Sequence, residues 1–367
     1  NFEEARLTSK VKKISDEKYV KVGDVLVNST GTGTLGRTGY VSYLHNQTTV
    51  DTHVTIVRSK NEIANSRFIG FVLSLYEPII ENLGKGATNQ IELSAKDLAS
   101  LKINLPPLET QRKIASILSG YDDLIENNLK RIKILEEMAQ QTYEEWFVRM
   151  RFPGYETAVM NEKTGLPEGW EKNVLKSFCT KITKGTTPTS LGEKFVEEGV
   201  KFIKAESYTD EGCFIEKKFA YIDEETHELL GRSKLERNDI LVSIAGVLGR
   251  VAMVNEYILP ANTNQAVGIV RINSELTSPY FIKYFLNSKR TNILINTVSG
   301  QAAQPNINLA QLGSLEILTP HKIIVEKFHD IIEVRDKLQI KLHRQNQSLR
   351  EARDLLLPRL MMGIVEV

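Results

Sequence analysis

The residues most able to do chemistry in this chain are six histidines, two cysteines and a glycine-rich turn, and their spacing withholds most of it. His45, His53, His227, His321, His329 and His343 form no HExxH motif and no paired ligand spacing. A helical zinc site needs such spacing to bring two imidazoles to one face. Cys179 and Cys213 stand without a CxxC or a histidine-rich neighbourhood, so they read as reduced thiols of a cytoplasmic protein, and no metal site is expected. No GxSxG elbow, no acidic metal-nuclease cluster with a nearby lysine and no Asn-Pro-Pro-aromatic tetrapeptide of methyltransferase type occurs. No catalytic residue is therefore expected in the chain itself.

The glycine-rich turn invites a different reading. Gly31-Thr-Gly-Thr-Leu-Gly36 spells GxGxxG after a strand, and with Arg37-Thr38 it mimics a Walker A loop whose lysine has become arginine. Both phosphate cradles require a helix immediately after them, so that its N-terminus faces the phosphate. The next residues here, Arg37-Thr-Gly-Tyr-Val-Ser-Tyr-Leu44, have the composition of a strand. The stretch reads instead as a tight turn between strands, with Arg37 and its later counterpart Arg250 at the edge. No cofactor is expected on this chain.

Those counterparts belong to an internal duplication. Gly23-Asp-Val-Leu-Val27 returns as Asn238-Asp-Ile-Leu-Val242, and Thr34-Leu-Gly-Arg37 as Val247-Leu-Gly-Arg250. Ile56-Val-Arg58 returns as Ile269-Val-Arg271, and Phe68-Ile69 as Phe281-Ile282. From Gly36 and Gly249 through Phe68 and Phe281 the offset stays at 213 residues, and Pro106 meets Pro320 at 214. A shared offset makes weak matches into one repeat. Lys85-Gly-Ala-Thr-Asn-Gln-Ile91 likewise meets Ser299-Gly-Gln-Ala-Ala-Gln-Pro-Asn-Ile307.

Each copy is predicted to carry three strands (Val25–Asn28, Tyr40–Leu44 and His53–Arg58; Ile240–Ile244, Val251–Asn255 and Ala266–Ile272), a helix (Arg67–Leu75; Pro279–Ser288), then a loop and a short strand. This mixture predicts an α+β domain. The second copy opens with Pro167-Glu-Gly-Trp170, a turn-rich loop at Lys184–Pro188, and strand-like segments Phe202–Lys204 and Phe214–Ile222. Extrapolating the repeat, roughly 50 residues of a complete first copy are expected to be absent from this chain or naturally shortened.

A long helix succeeds each copy. In Glu109–Trp146, the positions Ile114, Leu118, Tyr121, Ile125, Asn128, Ile132, Leu135, Ala139, Thr142 and Trp146 alternate steps of four and three. That 3.5-residue period is the seam of a coiled coil, and at about 1.5 Å per residue the rod exceeds roughly 50 Å. Ile323–Leu357 repeats the pattern at Phe328, Ile331, Arg335, Leu338, Leu342, Gln345, Leu349, Ala352 and Leu356, with Pro358 expected to stop it. Asn128, Arg335 and Gln345 are polar seam positions, either fixing register or lying at solvated layers.

The expected architecture is two globular α+β domains separated by two long antiparallel coiled-coil helices, a pseudo-twofold dumbbell. The predicted division is 1–106 and 167–320 for the domains, 107–150 and 321–360 for the helices, 151–166 for a linker and 361–367 for a tail. The 367 residues suit such a plan, and 47 Lys plus Arg against 46 Asp plus Glu leave the chain near neutral. Any basic surface must therefore be local. No apolar run approaches the roughly 18 residues of a membrane span, and no signal peptide opens the chain.

Taken together, these motifs resemble the DNA-specificity subunit of Type I restriction–modification enzymes. The resemblance rests on Leu105-Pro-Pro-Leu-Glu-Thr-Gln-Arg-Lys-Ile114 leading into a long helix, Trp146-Phe147 near its end, and Gly165-Leu-Pro-Glu-Gly-Trp170 opening the second domain. Ser299-Gly300 with Gln304-Pro-Asn-Ile307, and the terminal Leu356-Leu-Pro-Arg-Leu-Met-Met-Gly363, complete it. Ala87-Thr-Asn89 after Gly86, where the family has proline, departs from the pattern.

The resemblance implies a non-catalytic subunit with two target-recognition domains, each reading half of a bipartite, asymmetric site in double-stranded DNA. It also implies two partner modification (methyltransferase) subunits that bind S-adenosylmethionine, and a restriction subunit using ATP and Mg where one is present. On that footing Lys85, Lys184, Lys204, Lys234 and Arg250 are expected at phosphates. Arg37, Thr88, Asn89, Thr186, Thr187, Tyr208, Asn262, Asn264, Gln265, Gln301, Gln304 and Asn306 are candidates for base edges, because Asn and Gln can pair bidentately with adenine and Arg with guanine. The alternative is a non-enzymatic coiled-coil scaffold binding protein partners; a chain that itself methylates or cleaves DNA ranks third.

Overall fold

A computed structural model describes residues 15–31, 33–86, 91–298 and 306–367. In chain order the first elements are β1 (Val25–Asn28), β2 (Thr38–Tyr40), β3 (Val54–Val57), α1 (Ser66–Leu75), α2 (Glu77–Asn82), α3 (Ala95–Ala99) and α4 (Leu108–Tyr143). Next come β4 (Glu171–Val174), β5 (Cys179–Lys184), β6 (Val200–Ile203), β7 (Ala220–Ile222), α5 (Glu224–Leu229), β8 (Ile240–Ser243), β9 (Val251–Met253), β10 (Ala261–Thr263) and β11 (Val267–Ile272). The last are α6 (Pro279–Leu286), α7 (Lys289–Val298), α8 (Leu309–Gly313), β12 (Glu316–Thr319) and α9 (Lys322–Met361). The chain forms two compact units, Asn1–Leu129 with His343–Val367, and Lys130–Leu342.

In the first unit β1 is the centre of an antiparallel sheet ordered β2-β1-β3. Val25 and Val27 alternate inward and are fully buried, as a strand with one covered face requires. α1 covers that face with Phe68, Ile69, Val72 and Leu73. It begins where it does because the Asn65 side chain caps the Phe68 N–H at 3.0 Å. β2 is earlier and shorter than its predicted Tyr40–Leu44. Its ladder with β1 ends at Val25, beyond which Gly23 turns the chain at φ +96°.

The second unit rebuilds this frame. β8 pairs β9 and β11 as β1 pairs β2 and β3, with Ile240 opposite Met253 and Val270 where Val25 is opposite Tyr40 and Val57. β5 extends that sheet to the order β5-β11-β8-β9. A second sheet, β10-β6-β7, and a β12-β4 pair have no counterpart among the described residues of the first unit.

Each frame also encloses the same charged pair. Arg58 grips the buried Asp24 with Nε and Nη2, both at 2.7 Å, while Arg271 grips Asp239 at 2.7 and 2.8 Å. Each carboxylate accepts a backbone N–H as well, from Lys21 and from Glu236, both at 2.7 Å. A buried carboxylate needs this full set of donors.

The long helices hold several departures from expectation. α4 ends at Tyr143 in a wider turn, Glu144–Val148, closed by Arg149 N–H donating to the Glu144 carbonyl five residues back at 2.9 Å. That turn brings Phe147 against Phe281 and Phe328, with ring centroids at 4.8 and 5.1 Å, while Trp146 meets Phe328 at 5.9 Å. Along α4, Ile114, Leu118, Ile125, Asn128, Ile132 and Ala139 are buried, while Tyr121, Leu135, Thr142 and, in the wider turn, Trp146 are half-buried.

On α9 the inward line is offset by one residue at every second position. Ile332 is buried, Gln339 half-buried and Asn346 buried, whereas Ile331, Leu338 and Gln345 are exposed. Phe328, Arg335, Leu342, Leu349 and Leu356 keep their expected inward placement, buried or half-buried. The adjacent isoleucines Ile331 and Ile332 cannot be told apart by residue type. Asn346, one carbon shorter than Gln345, is the amide that fits inside.

Asn346 accepts from Asn128 Nδ2 at 2.9 Å and donates to the Ile125 carbonyl at 3.4 Å. Gln345 also accepts from Asn128, at 3.2 Å. Asn128→Ala is expected to cost about 1–3 kcal/mol by leaving the Asn346 carbonyl unpaired, while replacing both with Leu is close to neutral. Urea denaturation of the two variants checks this; equal losses in both would contradict it.

Pro358 does not stop α9, which runs to Met361. A proline removes one N–H but leaves its own carbonyl, which accepts from Met362 N–H at 3.0 Å. The end comes at Gly363, whose φ of +70° is the left-handed conformation that terminates helices. Among the described residues no helix is long and apolar enough to cross a membrane.

Candidate functional site

In the second unit the parallel strands β6 and β10 finish side by side, held by Thr263 Oγ1 donating to the Ile203 carbonyl at 2.6 Å. The residues just beyond them, Lys204 and Asn264-Gln265, therefore emerge at one edge. The loop after β5 folds onto the same edge, with Gly185 N–H donating to Val267 O at 3.3 Å and Thr186 N–H to Thr263 O at 3.1 Å. The Thr187 hydroxyl donates to Gln265 Oε1. Arg232, which no motif singles out, donates to Thr186 Oγ1 at 2.9 Å. The turn after β8 joins this edge too, because Ile244 N–H donates to Ala266 O at 2.8 Å and Ala245 bridges Asn306.

Lys184, Thr186, Thr187, Lys204, Asn264, Gln265 and Asn306 thus share a polar rim with Arg232, and Arg250 lies at the far end of the adjoining β8–β9 turn, paired with Asp210. Lys184, Arg232, Gln265 and Asn306 are exposed. The Lys204 ammonium lies over the Phe195 ring at 4.8 Å from its centroid. Asn264 is committed locally, its Oδ1 accepting the Ala266 N–H at 3.2 Å. Such a rim can offer cations to phosphates and amide or hydroxyl groups to base edges.

Gly185 lets the β5 loop close on this edge. A Cβ there would stand 2.0 Å from the Thr263 carbonyl oxygen, a backbone atom that cannot yield. Gly185→Ala is expected to push Thr186 and Thr187 away from Gln265 and to cost about 1–3 kcal/mol. Its melting temperature should fall, and sequence discrimination with it; a variant that kept both would contradict this placement.

Several expected contacts lie elsewhere. Tyr208 is fully buried in the apolar cluster with Ile203, Phe214 and Ala252. Its ring is core, which corrects the base-edge expectation. Asn262 is equally buried inside β10, with its Nδ2 donating to His227 Nδ1 at 3.0 Å. Burial, reinforced by Lys234, holds the His227 imidazole below its usual range, so the neutral ring accepts that bond. Lys234 itself pairs with Glu228 at 2.5 Å. In the first unit Lys85 pairs with Asp97 at 2.6 Å, and the exposed Arg37 lines an open groove of about 510 Å³ with Glu77, Glu81 and Asp354. Thr88, Asn89, Gln301 and Gln304 lie outside the described residues. Among the described residues no three His, Cys, Asp or Glu side chains gather to hold a metal ion.

Comparison with known proteins agrees with the duplicated frame. The Type I restriction modification DNA specificity domain matches this chain twice, at residues 4–137 and 167–349. The HindI specificity subunit of a Type I restriction enzyme from Haemophilus influenzae is 25% identical over 410 aligned positions, covering 95% of this chain and 87% of that protein. The MjaIX specificity subunit from Methanocaldococcus jannaschii is 25% identical, covering 99% and 82%. A crystal structure of the Type I restriction–modification system S subunit from M. genitalium shares the fold with a TM-score of 0.54 at 16% identity, covering 94% of this chain and 84% of that one. With the specificity domain matched over both copies of its repeat, the chain belongs to the Type I restriction–modification DNA specificity family.

Proposed function

We propose that each unit reads one half of a bipartite, asymmetric double-stranded DNA site, and that the two long helices space the halves. The helices also carry two modification subunits, which supply S-adenosylmethionine and the methyl transfer; a restriction subunit using ATP and Mg joins them in systems that have one. The observation that carries this reading is a strand frame repeated in register whose turns end alike in Leu-Gly-Arg but differ before it in length and residue type: Gly31-Thr-Gly-Thr34 in one copy and Gly246-Val247 in the other. A constant frame under different turns is what two readers of two different half-sites require.

The helix contacts support the spacing role. Asp122 and Asn128 of α4 meet Arg353 and Asn346 of α9, and Ile132 and Thr142 meet Gln339 and Arg335. One number rises as the other falls, as antiparallel pairing demands. The proposed division is two readers (1–106 and 167–320), two spacer helices (107–150 and 321–360), a linker (151–166) and a tail (361–367). The setting would be the cytoplasm, where the partners and the DNA are found.

The test is binding of the chain with its modification subunits to duplex DNA across a salt series. Affinity should fall about a thousandfold or more between about 50 and 200 mM salt, since counterion release drives phosphate contacts. Labelled S-adenosylmethionine should mark adenines only when the modification subunits are present. Salt-insensitive binding with no preference for any bipartite duplex would replace this reading with a protein-binding scaffold. Label incorporated by the chain alone would make it an enzyme.

A further inference from the structure

We propose that Asp210 is a built-in competitor for Arg250, a carboxylate that occupies the guanidinium until a duplex with a better acceptor displaces it. The pair would then sharpen discrimination between target and random DNA. This rests on the rim of the second unit being the DNA interface.

Arg250 closes the turn between β8 and β9, and its side chain is largely covered, at 24% exposure. Its Nε donates to Asp210 Oδ1 at 2.5 Å, and Nη1 reaches the Tyr208 carbonyl at 3.5 Å. Asp210 is not a wandering surface acid. It stands in a tight turn closed by Gly212 N–H to Thr209 O at 3.0 Å and by Thr209 N–H to Cys213 O at 2.9 Å. Gly212 sits at φ +81° with its missing Cβ only 2.5 Å from Val251 O, so the turn is seated directly on β9. The backbone thereby aims the carboxylate at the strand that Arg250 precedes.

Asp210 is 74% exposed, so water can solvate it once the arginine leaves. A buried acid would lock the pair shut; an exposed one lets it open. Opening needs a replacement acceptor of comparable geometry, and the acceptor this proposal assigns is the O6/N7 edge of guanine in place of the phosphate that the sequence suggested, since only a base edge differs between target and random DNA. Elsewhere the carboxylate keeps the cation engaged and adds a negative charge facing the phosphates. Specificity commonly needs such a repulsive component. The repeat offers a parallel: Arg37, the equivalent residue of the first unit, also faces carboxylates in its groove.

Random-sequence duplex is the probe, and the chain with its modification subunits is titrated against it at several salt concentrations. Asp210→Asn should tighten binding several-fold and steepen the log–log salt slope by up to about 0.9, one phosphate's worth. Arg250→Ala should weaken binding, and adding Asp210→Asn to it should then tighten binding far less than it does in the parent, by the bare charge alone. If Asp210→Asn tightens binding equally in the Arg250→Ala background, the carboxylate acts as a bulk charge and the competition is refuted. If Arg250→Ala weakens binding but Asp210→Asn alone does nothing, the competition is refuted while the interface stands. If neither substitution matters, Arg250 is not at the interface, and the assignment of this part of the rim falls as well.

Discussion

Lys283→Met is expected to destabilise the second unit by about 3–5 kcal/mol, the cost of stranding a buried charge. Lys283 Nζ sits 3.0 and 3.2 Å from the two oxygens of Glu136, and both side chains are under 10% exposed. Tyr284 donates its hydroxyl to the same carboxylate at 3.0 Å, and Gln339 reaches it at 3.2 Å. The cluster therefore joins α6, α4 and α9 through one carboxylate. Burial alone would lower the Lys283 pKa, but the facing Glu136 carries it well above 10.5. A raised lysine pKa means that the ammonium's contribution is complete below 10.5 and is lost only as pH climbs through the higher folded value. The deficit of Lys283→Met should thus be flat between about pH 6 and 9. Lys283→Met with Glu136→Leu should regain most of the loss, since a pair removed whole leaves no orphan charge. Urea unfolding of the single and double variants checks this; a double variant as weak as the single would contradict it.

The second large effect concerns the charged pair that both frames enclose. Asp239→Ala should cost about 3–5 kcal/mol, because it takes the buried carboxylate from Nε and Nη2 of Arg271, a side chain only 20% exposed that keeps the exposed Glu236 carboxylate and the Lys234 carbonyl alone, and leaves the Glu236 N–H without its acceptor. Asp24→Ala should cost less, about 1–3 kcal/mol, since Arg58 is 34% exposed and can turn to water. Opening the exposed pair Arg237–Glu256 should cost no more than about 1 kcal/mol. Thermal and urea unfolding of the three variants give the order directly, and a loss at Arg237 equal to that at Asp239 would refute it.

The frame is legible in the sequence because its determinants are periodic. Val25 and Val27 alternate, Phe68 and Phe281 recur at a fixed offset, and the long helices carry an unbroken 3.5-residue pattern. The pairing of Asp24 with Arg58 is also written there, inside two of the repeated segments, but nothing in the letters says that an arginine turns inward. Contact positions are harder to read for the same reason. Residue type states what Asn262 and Tyr208 could bind, whereas burial is decided by the β6–β10 pairing, which joins segments some 60 residues apart. Lys184, Thr187 and Gln265 fall on the rim because loops ending at neighbouring strands emerge together. The offset along α9 is hidden from residue type because two adjacent isoleucines satisfy either phase of a heptad.

The composition of the first unit has a consequence for synthesis. Its core gathers Val25, Phe68 and Leu118 around Leu360, so it takes in residues from both sides of the second unit. The second unit is a single continuous stretch, Lys130–Leu342. On the ribosome the half that emerges first is therefore the last to be finished. It must wait, with apolar surface uncovered, for a closing helical turn that is translated only after its sibling can already have folded.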